Sequence, residues 1–421
     1  MQTDTGRISM PIIGVIAEYN PFHYGHGFQI TTVRRQYPAA HIIAVMSGSI
    51  TQRGEPCILD KWVRAGHAVE GGADLVLELP FVFACRSAQD FARGGIILLA
   101  RLGIVSHLVF GMEAEQLAPL AGIATCIDSE DLQRELGSHL DTGCSYAEAL
   151  TRALTKEKGI SKDMLRAPNN ILAIEYLRAL RQFAPQITPI GIQRAAAQHS
   201  DSKLRRGISS ASSIRHALSN VPSPWKQLET SVQAHVLTDL KEGRTQGLPQ
   251  EDRLLNLLRY QLLITDSPAL KEIYGIAEGI EHRLICSKAQ SYRNFLAEVS
   301  TKRYPQSRIA RLIIYLLLHL KKTETAAFDL HSAAYIRPLA FNARGRELLH
   351  LIKHTSSLPI ITRTAAFLTS AERTKGAAQL SCLQRMLAFD TRATELRSLT
   401  IPARRAQNQR TDFIMSPVFL R

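Results

Sequence analysis

A chain of 421 residues is long enough for two or three domains and at least one sizeable core. Hydrophobic residues at 45% and charged residues at 21% exclude a wholly disordered, collagen-like or coiled-coil chain. Lys and Arg outnumber Asp and Glu 51 to 37, and the net charge of +14 points to a polyanionic partner, either nucleic acid or an anionic membrane surface.

Residues 1–11 carry no apolar core of signal-peptide length and are read as an extension ahead of the first strand. The apolar runs IIGVIA (12–17), HIIAVMSG (41–48), ADLVLELP (73–80) and HLVFG (107–111) follow at βαβ intervals, and ITPIGIQR (187–194) supplies a fifth. They predict an α/β fold, a doubly wound five-stranded parallel sheet over residues 12–220, ending in a helix that opens at ISSASSIRHAL (208–218). Past Pro222 and Pro224 the periodicity turns helical in RLLNLLRYQLL, RIARLIIYLLLHL and RELLHLIK, so residues 221–421 are expected to form an α-helical domain. The longest apolar run, Ile309 to Leu320, contains Arg311 and His319 and is too short and charged to span a bilayer, so the expectation is a cytoplasmic protein with no membrane contact. The six cysteines are dispersed with no CxxC pair, which supports neither a zinc ribbon nor a disulfide framework.

The basicity is uneven along the chain. Residues 1–150 hold 10 basic and 16 acidic residues, whereas 151–220 hold 12 and 4, and 301–421 hold 20 and 7. A nucleic acid is therefore expected on the later blocks, with Arg308, Lys321, Arg344 and Arg346 as contacts, unless these blocks are ordinary solvated helical surface.

The strongest chemical signal is GVIAEYNPFHYGH (14–26), where a buried strand runs into a Pro-containing turn and His-x-Gly-His opens a helix. A bare HxxH is more often a pair of capping or core histidines. Its place directly after the first strand favours a ligand site, because open α/β sheets bind ligands outside the carboxyl ends of their strands. There Gly25 permits close backbone approach, and His23 and His26 can donate to a phosphate at a helix N-terminus, ~3 kcal/mol per donor in the transition state. In ISSASSIR (208–215), Ser209 or Ser210 can cap a helix or, with Arg215, meet a second phosphate. The loop RGEPCILDKWVRA (53–65) gathers charge beside Gln52: Lys61 and Arg64 are candidates for stabilising the transferring group, unless Asp60 simply caps a helix that exposes them. Trp62 reads as core.

The HxGH and ISSxxxR motifs together resemble the HUP-type nucleotidylyltransferase superfamily. AEYNPFHYGH, MSGSITQRGEPCILDKWVRAGHAVEGGADLVLELP (46–80), APNNILAIEYLRAL (167–180), RPLAFNARGRELL (337–349) and LPIITRTA (358–365) extend the resemblance to the bacterial tRNA(Met) cytidine acetate ligase family. That family implies ATP-dependent N4-acetylation of the wobble cytidine of elongator tRNA(Met), using free acetate and passing through acetyl-adenylate. It also implies a nucleotidylyltransferase-like ATP domain and a helical tRNA-binding domain. Its ATP site falls on Ile16, Ala17, Glu18, Tyr19, Asn20, Pro21, Phe22, His23, Tyr24, Gly25, His26, Gly27, Phe28 and Gln29, and on Gly111, Asn169 and Arg194. Met112 departs from the family pattern, which usually has a small polar residue there. No protein metal site is expected, Mg2+ is the expected companion of ATP, and Glu18 is left open between holding that ion, capping the next turn and orienting His26. Two other readings stand beside this one: an adenylyltransferase of small-molecule cofactor metabolism, and a non-catalytic RNA-binding protein with a degenerate nucleotide site. Oligomeric state is not legible.

Overall fold

Strands that are apolar along their whole length need cover on both faces. The computed structural model, which describes residues 10–144, 146–158, 160, 162–194, 209–369, 371–402 and 411–421, supplies it with helices on either side of one sheet. Residues 1–9 of the extension, Ile208 of the second motif and residues 403–410 lie outside the described residues. The five expected strands are β1 (Ile12–Ala17), β2 (His41–Ser47), β3 (Leu75–Leu79), β4 (His107–Met112) and β5 (Thr188–Gln193). All are parallel, and every residue of β2 and β3 is buried. The sheet order β5-β4-β1-β2-β3 reverses direction between β1 and β4, which opens a crevice at their carboxyl ends.

The second half is not purely helical, which corrects the sequence expectation. Two further strands, β6 (Pro338–Phe341) and β7 (Val418–Phe419), extend the sheet to seven, β6 running antiparallel to β3 and β7 parallel to β6. Both runs are too short to announce themselves, and Pro338 disguises the first. A proline is tolerated there because it opens the strand, while the preceding Arg337 carbonyl accepts the Glu78 N–H at 2.8 Å. The halves also share their cores. Leu228, Val236 and Leu240 pack with Ile13, Ile42 and Trp62 on one face of the sheet, and Ile313, Leu316 and Leu387 belong with Leu77, Phe81 and Phe83 on the other. Among the described residues no helix is long and apolar enough to cross a membrane, and all six cysteines are free.

A buried ionic cluster ties the halves together. Lys61, at the start of α2 (Lys61–Glu70), donates to Glu78 at 2.7 and 2.9 Å and to Asp412 at 2.5 Å; Arg337 pairs with the same two carboxylates at 3.0 and 2.5 Å. Asp390 completes the group, accepting from the Phe81 N–H at 2.7 Å and from the Tyr335 hydroxyl. Gly48 is required beside it, since a Cβ there would lie 2.2 Å from the Glu78 carboxylate.

Two cations facing three carboxyls leave one acid in surplus. Burial, then the Glu78 charge, push the Asp390 carboxyl up to about 7, whereas Asp412, which burial alone would raise, is pulled down to about 2 by Lys61 and Arg337. Between pH ~4 and ~7 the folded chain therefore retains a proton at Asp390 that the unfolded chain has lost, so this group's contribution to stability falls as pH rises through that window. Asp412 acts oppositely, its contribution falling away only as pH drops below ~4. Asp390→Asn, whose amide still accepts from Phe81, should flatten the decline in urea midpoint between pH 5 and 7.5. An unchanged slope would place the titration elsewhere.

Candidate active site

β1 delivers the chain to the crevice, and the turn after it is built for close packing. Tyr19 takes a left-handed φ of 47° and is buried with Phe22, their rings 5.1 Å apart, which positions the next helix, α1 (Tyr24–Gln36). His23 is the N-cap of α1: its Nδ1 accepts the Gly25 N–H at 3.0 Å, which puts the ring hydrogen on Nε2. His26 stacks on it with centroids 3.8 Å apart and meets the edge of Tyr19 at 4.9 Å. Two imidazoles at a helix start therefore face one cavity, of about 1010 Å3.

The opposite wall comes from the carboxyl ends of β4 and β5 and from the helix Pro168–Phe183. Asn169 donates to Glu113 at 2.5 Å and accepts from Arg194 at 3.2 Å. Glu113 also accepts the N–H groups of Asn169 and Asn170, at 3.3 and 2.8 Å, and so caps a helix that has no side-chain cap of its own. Gly111 lies against Arg194, a Cβ there falling 3.3 Å from its Cγ. The third side is Arg215, which donates to the Asn20 carbonyl at 3.0 Å and pairs with Glu55 at 3.0 Å. Glu18 is half-buried in the cavity wall. Its surroundings raise its carboxyl above the ordinary range by desolvation, against the Gln52 N–H donated at 2.6 Å.

Of the residues singled out in the sequence, Ile16, Ala17, Glu18, Tyr19, Asn20, His23, Gly25, His26, Phe28, Gln29, Gly111, Asn169, Arg194 and Arg215 line this cavity. Others do not, and each departure has a physical cause. Phe22 and Pro21 are buried in the turn, Tyr24 faces solvent, and Gly27 abuts Gln233. Ser210 caps the helix Ala211–Asn220 by accepting from Ser213 N, and Ser209 bonds Ser231 at 2.9 Å, so Ser212 is the hydroxyl of that motif that reaches the cavity. Lys61 and Arg64 are corrections to the expected catalytic set. Both are fully buried away from the cavity, Lys61 in the ionic cluster and Arg64 donating to the carbonyls of Leu59, Glu18, Ser47 and Gly48. Arg64 thus braces the backbone at the ends of β1 and β2. The loop's outer members, Gln52 and Arg53, do line the cavity.

A family model described as HIGH nucleotidyl transferase matches residues 10–412. The tRNA(Met) cytidine acetate ligase of Syntrophomonas wolfei is 36% identical over 424 residues, covering 97% of this chain and 99% of that one. The chain belongs to the tRNA(Met) cytidine acetate ligase family. Crystal structures of Thermotoga maritima TmcAL, apo and bound with alpha-thio ATP, match it with TM-scores of 0.87 and 0.85 at 30% identity, each over 98% of this chain and 100% of the other. As a member of the tRNA(Met) cytidine acetate ligase family the chain is a ligase with a nucleotidyltransferase-like fold.

Although Arg308 is among the residues expected to meet nucleic acid, the sequence does not show that the second half contributes to this cavity. Tyr274, Arg303, Arg308 and Arg311 line it beside Arg53. No motif marks them, since Arg308 and Arg311 sit at ordinary positions on the helix Gln306–Leu318. Glu113 was overlooked for the same reason. The signal available was its place one residue past the end of β4, where a strand's carboxyl end meets the crevice.

Proposed function

We propose that this chain activates acetate with ATP and acetylates N4 of the wobble cytidine of elongator tRNA(Met). The observation that carries the reading is the pairing, across one cavity at the β1–β4 switch point, of His23 and His26 with Asn169 and Arg194, in a chain alike over its whole length to ligases of that name. Residues 12–220 would then bind ATP, and residues 221–421 would present most of the RNA surface.

In the first step an acetate oxygen attacks the α-phosphate, the bond to pyrophosphate breaks, and acetyl-adenylate remains. His23 Nε2–H and His26 are suited to hold the oxygens on which charge builds, with Arg215 and Ser212 toward the departing phosphates. Asn169 has a donor and an acceptor for the adenosine and is braced by Glu113 and Arg194. In the second step the cytidine N4 attacks the acetyl carbonyl, AMP leaves, and N4 gives up one proton. No protein nucleophile is needed, because positioning and charge stabilisation suffice. Among the described residues no three His, Cys, Asp or Glu side chains are placed to hold a metal. Glu18, which lines the cavity, would be the residue to hold a magnesium ion arriving with ATP, and the ion would supply neutralisation of phosphate charge.

The test is acetate-dependent ATP–pyrophosphate exchange, followed by incubation with ATP, acetate and total tRNA and mass spectrometry of the nucleosides. N4-acetylcytidine confined to tRNA(Met) is the expected product. Exchange that ignores acetate but responds to a phosphorylated cofactor precursor would favour the small-molecule adenylyltransferase instead, and absence of any exchange the non-catalytic reading.

A further inference from the structure

The cavity extends beyond its nucleotide end. At about 1010 Å3 it runs from Gly111 and Asn169 to the helix Gln306–Leu318 of the second half. At that far end the loop after β2 is pressed onto the helix. Gly54 has a φ of +83°, and a Cβ on it would lie 2.8 Å from both the Ala310 carbonyl carbon and the Arg311 amide nitrogen. No other residue type allows so close an approach, and its effect is to bring Arg53 and Arg311, one from each half of the chain, to the same seam.

The charges around this seam are unequally compensated. Arg303 pairs with Glu278 at 2.9 Å, and Arg308 lies over the Tyr304 ring at 3.9 Å and donates to the Arg303 carbonyl at 3.1 Å. Neither Arg53 nor Arg311 forms an ion pair with a described residue, although both line the cavity and Gly54, next to Arg53, is pressed onto the backbone at Ala310 and Arg311. Arg53 also acts on the Glu18 carboxylate across the cavity, but two guanidinium groups at one seam without an ion pair are suited to receive an anion. In the proposed reading the nucleotide's phosphates are met by His23 and His26 at the start of α1 and by Arg215, which donates to the Asn20 carbonyl.

We propose that Arg53 and Arg311 form an acceptor subsite that grips a backbone phosphate of the RNA nucleotide entering the cavity. A base that reacts inside a cavity must leave its stack, and its flanking phosphates then stop at the rim. Arg308 and Arg303 continue the positive track outward from Arg311 onto the segment 301–421, which holds 20 basic and 7 acidic residues. This inference rests on the RNA-acetylating reading given above, and it assigns the seam to the acceptor and not to ATP.

The test compares Arg53→Gln, Arg311→Gln and the conservative Arg311→Lys with the wild-type protein. Filter binding of an unmodified tRNA(Met) transcript is followed across a salt series, and the KM for ATP is taken from acetate-dependent exchange, which also reports folding. Each glutamine variant should weaken RNA binding about tenfold and make the log–log salt slope shallower by roughly 0.7 to 0.9, the loss of one phosphate contact. Arg311→Lys should restore most of the slope, and the KM for ATP should hold within about twofold throughout. A parallel rise in the KM for ATP would assign the pair to nucleotide phosphates and overturn the proposal, as would an unchanged salt slope. Failure of the wild-type protein to activate acetate would sink the functional reading alone, because the salt slopes are read without turnover.

Discussion

His26→Ala is expected to lower acetate-dependent ATP–pyrophosphate exchange by about 100-fold or more, the scale for removing one preorganised donor from a developing oxyanion. The loss should fall on kcat more than on the KM for ATP, since a donor that matters most in the transition state contributes less to the ground state. The geometry sharpens this beyond a motif argument. His26 stacks on His23 at 3.8 Å and touches the Tyr19 edge, so its removal also loosens the ring that caps α1. His26→Asn, which keeps a donor but not the stack, separates the two effects and should recover part of the rate. Because His26 is only half-buried on the first turn, thermal unfolding should shift by no more than a few degrees. Wild-type exchange in His26→Ala would remove the cavity from consideration as the active site.

Lys61→Met is expected to cost about 3 to 5 kcal/mol of stability, the scale for removing one partner from a buried ion pair. Glu78 and Asp412 would be left sharing Arg337, with three buried carboxyls against a single cation. Replacing Asp412 by Asn in the same chain should recover part of the loss, since it removes one of the unpaired charges. Urea unfolding of the single and double variants measures this, with exchange assayed on the folded fraction. A Lys61→Met protein of unchanged midpoint but abolished exchange would return Lys61 to the chemistry and refute its structural role.

What could be read without coordinates was what sequence neighbours decide. IIGVIA and HIIAVMS declare themselves as buried strands because the apolar run is unbroken, and a helix opening at HYGH directly after the first run locates the crevice. The resemblance added Gly111, Asn169 and Arg194, which lie on the far wall of the same cavity. What escaped depended on distant partners. Lys61 and Arg64 looked like a ligand-binding pair because nothing local neutralises them; Glu78 is 17 positions from Lys61, and Asp412 is 351. β6 hid inside RPLAF, a run with a proline, and is only four residues long. Among the basic residues expected to meet RNA, Lys321 is tied to Glu272 at 2.7 Å and Arg344 donates to the Ala39 and Ala40 carbonyls, whereas Arg346 is exposed and Arg308 lines the cavity. Helical periodicity carries no information about which charges find partners.

The reach of that ionic cluster along the chain also sets a timetable. At roughly 5 to 20 residues per second, Lys61 is synthesised roughly 20 to 70 seconds before Asp412, its partner 351 positions later. For most of that interval β3 has an open edge, since β6 has not yet been made, and Glu78 beside it awaits Arg337. The first half therefore cannot reach its final packing as it emerges, and its last step must wait for Asp412. An exposed strand edge next to unpaired buried charges is a hazard for aggregation during synthesis, so a chain truncated before residue 412 should be held by chaperones, while the full 421-residue chain, once released, should fold free of them.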